Sequence, residues 1–157
     1  MSDPINSPVK QHDDPLALDN QFCFALYSAS LAMTKAYKPF LDKVGLTYPQ
    51  YLVMLVLWQQ DDVLVKTIGE RLFLDSGTLT PLLKRLEAAQ LIKRTRSKED
   101  ERQVLIALTA QGQALKEKAR AVPMSILEAS ACSVGELIAM KDEIVALRDR
   151  LNAVVGE

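Results

Sequence analysis

Two cysteines, Cys23 and Cys132, are the side chains in this sequence best suited to covalent chemistry. A thiolate is the nucleophile and the metal ligand, and an isolated cysteine with a pKa of about 8.5 is mostly protonated near neutrality, so a reactive one needs surroundings that favour the anion. The competing reading is structural, because free cysteine is among the most buried residue types and packs as a small hydrophobe. The only histidine, His12, lies in a polar N-terminal stretch, and the two cysteines are far apart in the chain. A metal centre built from close His/Cys pairs is therefore not expected, nor is a Ser-His-Asp triad on a folded scaffold, and nothing calls for a cofactor. Two cysteines are also too few for a disulfide-stapled fold.

The elements that must position these residues follow from composition and spacing. The chain has 157 residues, 48% hydrophobic and 25% charged, which is enough to bury one core. Its formal charge of -1 gives no global sign of a nucleic-acid or membrane-surface protein. The N-terminus has no secretory signal, and no apolar run approaches the roughly 20 residues needed to span a bilayer, so a cytoplasmic protein without a membrane partner is expected. Residues 1–17, rich in proline and aspartate, read as a flexible tail ahead of a single domain over 18–157. From Leu18 to Leu41 apolar residues recur at helical spacing, and Gly45 closes that helix. Thr47 and Pro49 open a second helix through Trp58, and a short helix around Val65–Phe73 stops before Asp75-Ser76-Gly77. Asp75 or Ser76 caps the next helix, with Leu79, Leu82, Leu83 and Leu86 on one face and Thr78, Lys84 and Arg85 turned outward.

Two short helices joined by a tight turn have the outline of a helix-turn-helix, or of an ordinary helical hairpin with a solvated face. The next residues favour the first. Residues 91–96 and 103–108 are strand-like and flank a charged turn, so they form a hairpin. Between Lys84 and Arg102 seven Lys or Arg face four Asp or Glu, whereas the remaining segments are each slightly acidic. A helix-turn-helix followed by a basic hairpin is a winged helix, here about 48–108, within a mainly α fold carrying a small β hairpin. Thr109 caps a helix that Pro123 ends or kinks, residues 124–131 continue as helix, and Ser133 with Glu136 has capping-box spacing ahead of a long amphipathic helix. Long apolar helices at about 18–45 and 109–155 suit a two-fold dimer.

The succession Asp75-Ser76-Gly77-Thr78-Leu79-Thr80-Pro81-Leu82-Leu83-Lys84-Arg85-Leu86-Glu87, then Leu91-Ile92-Lys93-Arg94, Asp100-Glu101-Arg102 and Leu108-Thr109-Ala110-Gln111-Gly112, resembles the MarR family of dimeric winged-helix regulators over residues 18 to about 152. The resemblance implies a homodimer on a pseudo-palindromic double-stranded DNA operator. Ser76, Thr78, Thr80 and Lys84 would enter the major groove, with Arg85 at the backbone or a base edge. Arg102 would enter the minor groove, oriented by Asp100. Within the family, Phe22-Cys23-Phe24-Ala25-Leu26-Tyr27 with Tyr37 and Tyr48 is similar to the organic-hydroperoxide-sensing repressors of the OhrR type. That similarity implies that Cys23 is the peroxide sensor, that Tyr27, Tyr37 and Tyr48 surround it, and that Cys132 resolves it in an intersubunit disulfide. The other route is open as well, with Cys132 a spectator and a small cellular thiol capping the sulfenic acid.

Burial of Cys23 among Phe22, Phe24 and Leu26 would disfavour the thiolate, so neutral donors such as tyrosine hydroxyls are required. Tyr27 lies at i+4 on the same helix face, but Tyr37 is 14 residues on, about 21 Å along an unbroken helix. Tyr37 would have to come from the other protomer. Three further readings compete: a regulator binding an aromatic ligand between the dimerisation helices and the wing domain, with the tyrosines as pocket lining and Cys23 incidental; a thiol peroxidase using Cys23 and Cys132; and a winged helix that binds protein.

Overall fold

A computed structural model describes residues 14–156 and divides the chain into two units, residues 1–36 and 37–157. Most of the expected tail, His12 included, lies outside the described residues. In the first unit Asp14 organises a turn, its carboxylate accepting from the Leu16 amide at 2.9 Å. A single 3-10 turn spans Leu18–Asn20, and α1 (Phe22–Asp42) begins later than its apolar spacing suggested. The delay has a local cause: Gln21 is extended, and its side-chain amide turns back to donate to the carbonyls of Pro15 and Ala17 at 2.7 and 3.0 Å.

The core belongs to the second unit. Thr47 caps α2 (Tyr48–Gln59) and Gln50 completes a reciprocal capping box, which leaves Tyr51, Val53, Met54, Val56 and Leu57 buried. The two-residue strand β1 (Val63–Leu64) follows, then α3 (Val65–Leu72) and α4 (Ser76–Ala88). Strands β2 (Ile92–Arg96) and β3 (Val104–Leu108) pair antiparallel with Arg94 opposite Ile106. β1 adds to the other side of β3, so the expected hairpin is a three-stranded sheet in the order β1-β3-β2. The extra strand was hidden by its length. Asp61 helps to place it, its carboxylate accepting from the Leu108 amide at 2.8 Å.

Thr109 caps α5 (Ala110–Ala119) as expected. Pro123 occupies the first turn of α6 (Val122–Ser130), so it opens a helix after a break, consistent with proline's tolerance where amides are already unpaired. Ser133 and Glu136 form the expected capping box at the start of α7 (Val134–Val155). Among the described residues no single helix is long and apolar enough to cross a membrane.

One close approach ties α5 to the sheet. The Trp58 indole donates to the Gly112 carbonyl at 3.0 Å, and the Thr109 amide donates to the Leu91 carbonyl at 3.1 Å. A methyl group at Gly112 would be driven into that Leu91 carbonyl oxygen. Alanine is the better helix former, but overpacking against fixed backbone outweighs that gain. Gly112→Ala should therefore lower stability by about 2 kcal/mol in urea unfolding of the reduced protein, and an unchanged midpoint would show that the approach is not tight.

Candidate nucleic-acid interface and redox cysteines

The start of α4 is fixed by Asp75, whose carboxylate accepts from the Thr78 amide at 2.7 Å. That backbone hydrogen bond, foremost among its interactions, holds the Asp75 carboxyl below the usual range. Leu79, Leu82, Leu83 and Leu86 anchor the helix in the core, which leaves Ser76, Thr78, Lys84 and Arg85 exposed on the other side. Thr80 is half-buried and its hydroxyl donates to the Ser76 carbonyl at 2.7 Å, so it points back along its own helix more than outward.

At the tip of the wing, Asp100 and Arg102 meet as their spacing suggested. The Asp100 carboxylate accepts from both the Arg102 amide and Nε at 3.1 Å, while the Arg102 side chain remains 92% exposed. A guanidinium oriented by Asp100 through Nε at 3.1 Å and Nη2 at 3.5 Å, yet largely exposed, is suited to enter a narrow anionic groove.

The sequence alone did not reveal what joins wing to helix. Glu87 in the last turn of α4 accepts from the Arg94 amide at 3.1 Å and from its Nη2 at 2.9 Å. Hydrogen bonding to the Arg94 side chain lowers the Glu87 pKa. Arg94 is thus committed internally and is not one of the free cations of the basic segment. Its Nε is buried without a hydrogen-bond partner. Beside it, a cleft of about 760 Å³ opens between α3, the start of α4 and the wing, lined by Phe73, Leu79, Leu83 and Val104 with Lys66, Arg94 and Arg102 among its polar groups.

The other candidates fall in two places. Tyr37 and Tyr48 lie in the second unit with ring centroids 4.9 Å apart, and Tyr51 packs 6.0 Å from Tyr37 and 6.5 Å from Trp58. Burial, reinforced by Tyr48 and Tyr51, pushes the Tyr37 pKa up to about 12, and burial also raises Tyr48. These phenols stay neutral and able to donate at any physiological pH. In the first unit Cys23 is exposed, as are Phe22, Phe24 and Tyr27. The expected burial of Cys23 among Phe22, Phe24 and Leu26 does not occur within one chain, because adjacent residues on a helix point in different directions and do not cover each other. Cys132 is half-buried in the link between α6 and α7, and its thiol donates to the Ser130 carbonyl at 3.4 Å. Ala131 before it is in the left-handed region, φ 54°.

Residues 35–119 match a family model described as transcriptional regulator SarA/Rot. The organic hydroperoxide resistance transcriptional regulator of Bacillus subtilis strain 168 is 52% identical over 139 residues, covering 88% of this chain and 95% of that one. The chain belongs to the MarR/SarA family of winged-helix transcriptional regulators. Its relatives are regulators and not enzymes, which sets the peroxidase reading aside. Among solved structures, reduced AbfR bound to DNA superposes with a TM-score of 0.73 at 37% identity, over 89% of this chain and 96% of that one. AbfR is a protein of Staphylococcus epidermidis. Its disulfide form, also 37% identical and covering 89% of this chain and 93% of that one, gives 0.59.

Glu87 has a pKa lowered in the fold, so its contribution to stability is complete above the ordinary carboxylate pKa of about 4.3 and is lost as pH falls through the lowered value. Replacing it by glutamine should flatten the acid side of a melting-temperature profile taken from pH 7 to 3. A Glu87→Gln profile parallel to that of the native regulator would mean that the Arg94 interaction is not kept in solution.

Proposed function

We propose that this regulator is a homodimeric, cytoplasmic repressor that holds a pseudo-palindromic DNA operator while Cys23 is reduced and releases it when an organic hydroperoxide oxidises that thiol. The observation that carries the reading is the placement of Cys23. Its thiol is exposed, shares a helix face with the exposed Tyr27 one turn on, and is flanked in sequence by the exposed Phe22 and Phe24, in the same chain as a DNA-reading winged helix. A second copy covering that face would bury the thiol beside phenols. The neutral hydroxyls of Tyr37 and Tyr48 are then the donors that stabilise its thiolate, with Tyr27 one turn along the helix as a third.

The chemistry is a two-electron transfer. The Cys23 thiolate attacks the outer peroxide oxygen, the O–O bond breaks, an alcohol leaves after taking up a proton, and Cys23 becomes a sulfenic acid. Attack by the Cys132 thiol of the partner subunit would expel water and form an intersubunit disulfide. In this reading the left-handed residue before Cys132 and the capping box after it mark the link that rearranges, and the two reading heads lose their common spacing. On the DNA, Ser76, Thr78 and Lys84 take the major groove, Arg85 the backbone or a base edge, and Arg102 the minor groove beside Asp100, while Thr80, its hydroxyl on the Ser76 carbonyl, faces its own helix.

Cys23→Ser should bind a palindromic operator duplex like the native regulator in fluorescence anisotropy, yet stay bound after cumene hydroperoxide is added. Release of Cys23→Ser at the native rate would overturn the sensor assignment. The second reading is non-covalent control by an aromatic ligand; the cleft between reading helix and wing lies in the size range of small-ligand sites, though no residue of the dimerisation helices lines it. Under that reading the ligand releases Cys23→Ser and native protein alike. For the wing, Arg102→Ala should weaken binding and lower the salt slope by about 1, and an unchanged slope would take Arg102 off the DNA.

A further inference from the structure

Phe73 sits in an unexpected conformation for its type. It terminates α3 with φ 56°, in the left-handed region where glycine or asparagine is the usual residue, and its ring is 59% exposed. Two residues later Asp75 caps the reading helix. The ring is not bare: the Arg148 guanidinium of α7 lies over it, 4.4 Å from the ring centroid. Asp149 also holds that guanidinium, accepting from Nε at 3.0 Å and from Nη2 at 2.8 Å. Arg148 is therefore pre-oriented toward the ring by its own neighbour.

The position of α7 gives this pairing its consequence. None of its residues is buried, and Ile138, Met140, Ile144 and Leu151 are exposed, so the core does not fix its place. Among the described ring interactions and polar pairs, Arg148 on Phe73 is the one that joins α7 to the helix-turn-helix. We propose that Phe73 and Arg148 are positioning residues that register the turn between α3 and α4 to the C-terminal helix, so that the placement of α7 in the dimer sets the pose of the reading helix on DNA. This rests on the DNA-binding reading above and adds to it the residues through which the dimer reaches the reading head.

The test uses the full-length reduced regulator, native and with Phe73→Asn, Arg148→Gln or both. In a free-protein experiment, amide exchange across residues 73–76 should speed up in each variant. In an anisotropy titration with an operator duplex, each single substitution should lower affinity by roughly three- to tenfold, the scale of a partly exposed cation–π interaction. The double substitution should weaken binding no more than either single one, because the pair acts as a unit. The salt slope should not change, since no phosphate interaction is removed. Native exchange in Arg148→Gln, additive effects in the double variant, or a slope lowered by about 1 would each overturn the proposal, the last by placing Arg148 on the DNA itself. Native protein that binds no duplex would instead overturn the DNA-binding reading, while the exchange measurement would still decide whether the Phe73–Arg148 pair exists.

Discussion

Reading DNA with a helix and a wing requires that the two keep one spacing, and the Glu87–Arg94 pair enforces it. Glu87 closes the last turn of α4 and binds both the backbone and the side chain of β2. An ion pair on an open surface contributes little, but this one is partly enclosed and bonds a backbone amide as well, so either partner left alone would strand a charged or polar group. The buried leucines of α4 hold the other side of the same body. With α4 and the wing locked together, the exposed guanidinium of Arg102, oriented by Asp100, and the exposed start of α4 present a fixed pair of points to the DNA.

Control must then act on the placement of that body and not on its internal structure. Cys23 is not part of it: it lies in the first unit and is exposed, as are its neighbours Phe22 and Phe24 and Tyr27 one turn on. In the proposed function, oxidation at Cys23 alters how two copies pair, and the pairing moves two rigid reading heads. When one half-site lets go, most of the affinity goes with it, because each head holds its half-site at the effective concentration that the other head supplies.

Much of this was legible in the sequence because it rests on local rules. Asp75 and Ser133 announce helix starts, the leucines of α4 announce its buried face, and Asp100 two residues before Arg102 announces the oriented wing arginine. Thr47 with Pro49 announces the start of α2 in the same way, and Gln50 three residues on completes its capping box. What stayed hidden depends on tertiary structure. Val63–Leu64 is too short to show a strand period, and Glu87 with Arg94 shows only as two charges across a turn. Phe73 with Arg148 joins residues that no spacing rule connects. The exposure of Cys23 does not show in the sequence, because apolar neighbours along a helix are not neighbours in space. On one helix they cover nothing until another surface arrives.

The most direct measurement follows DNA release and cysteine oxidation in one sample. Substoichiometric cumene hydroperoxide would be added in steps to the reduced regulator on a labelled operator, with anisotropy reporting the bound fraction and intact mass with peptide mapping reporting the state of Cys23. Operator should leave in step with the oxidised fraction of Cys23 and should be fully released once each dimer is modified. Release while Cys23 is still a thiol, or continued binding after Cys23 is oxidised throughout, would contradict redox control at this residue.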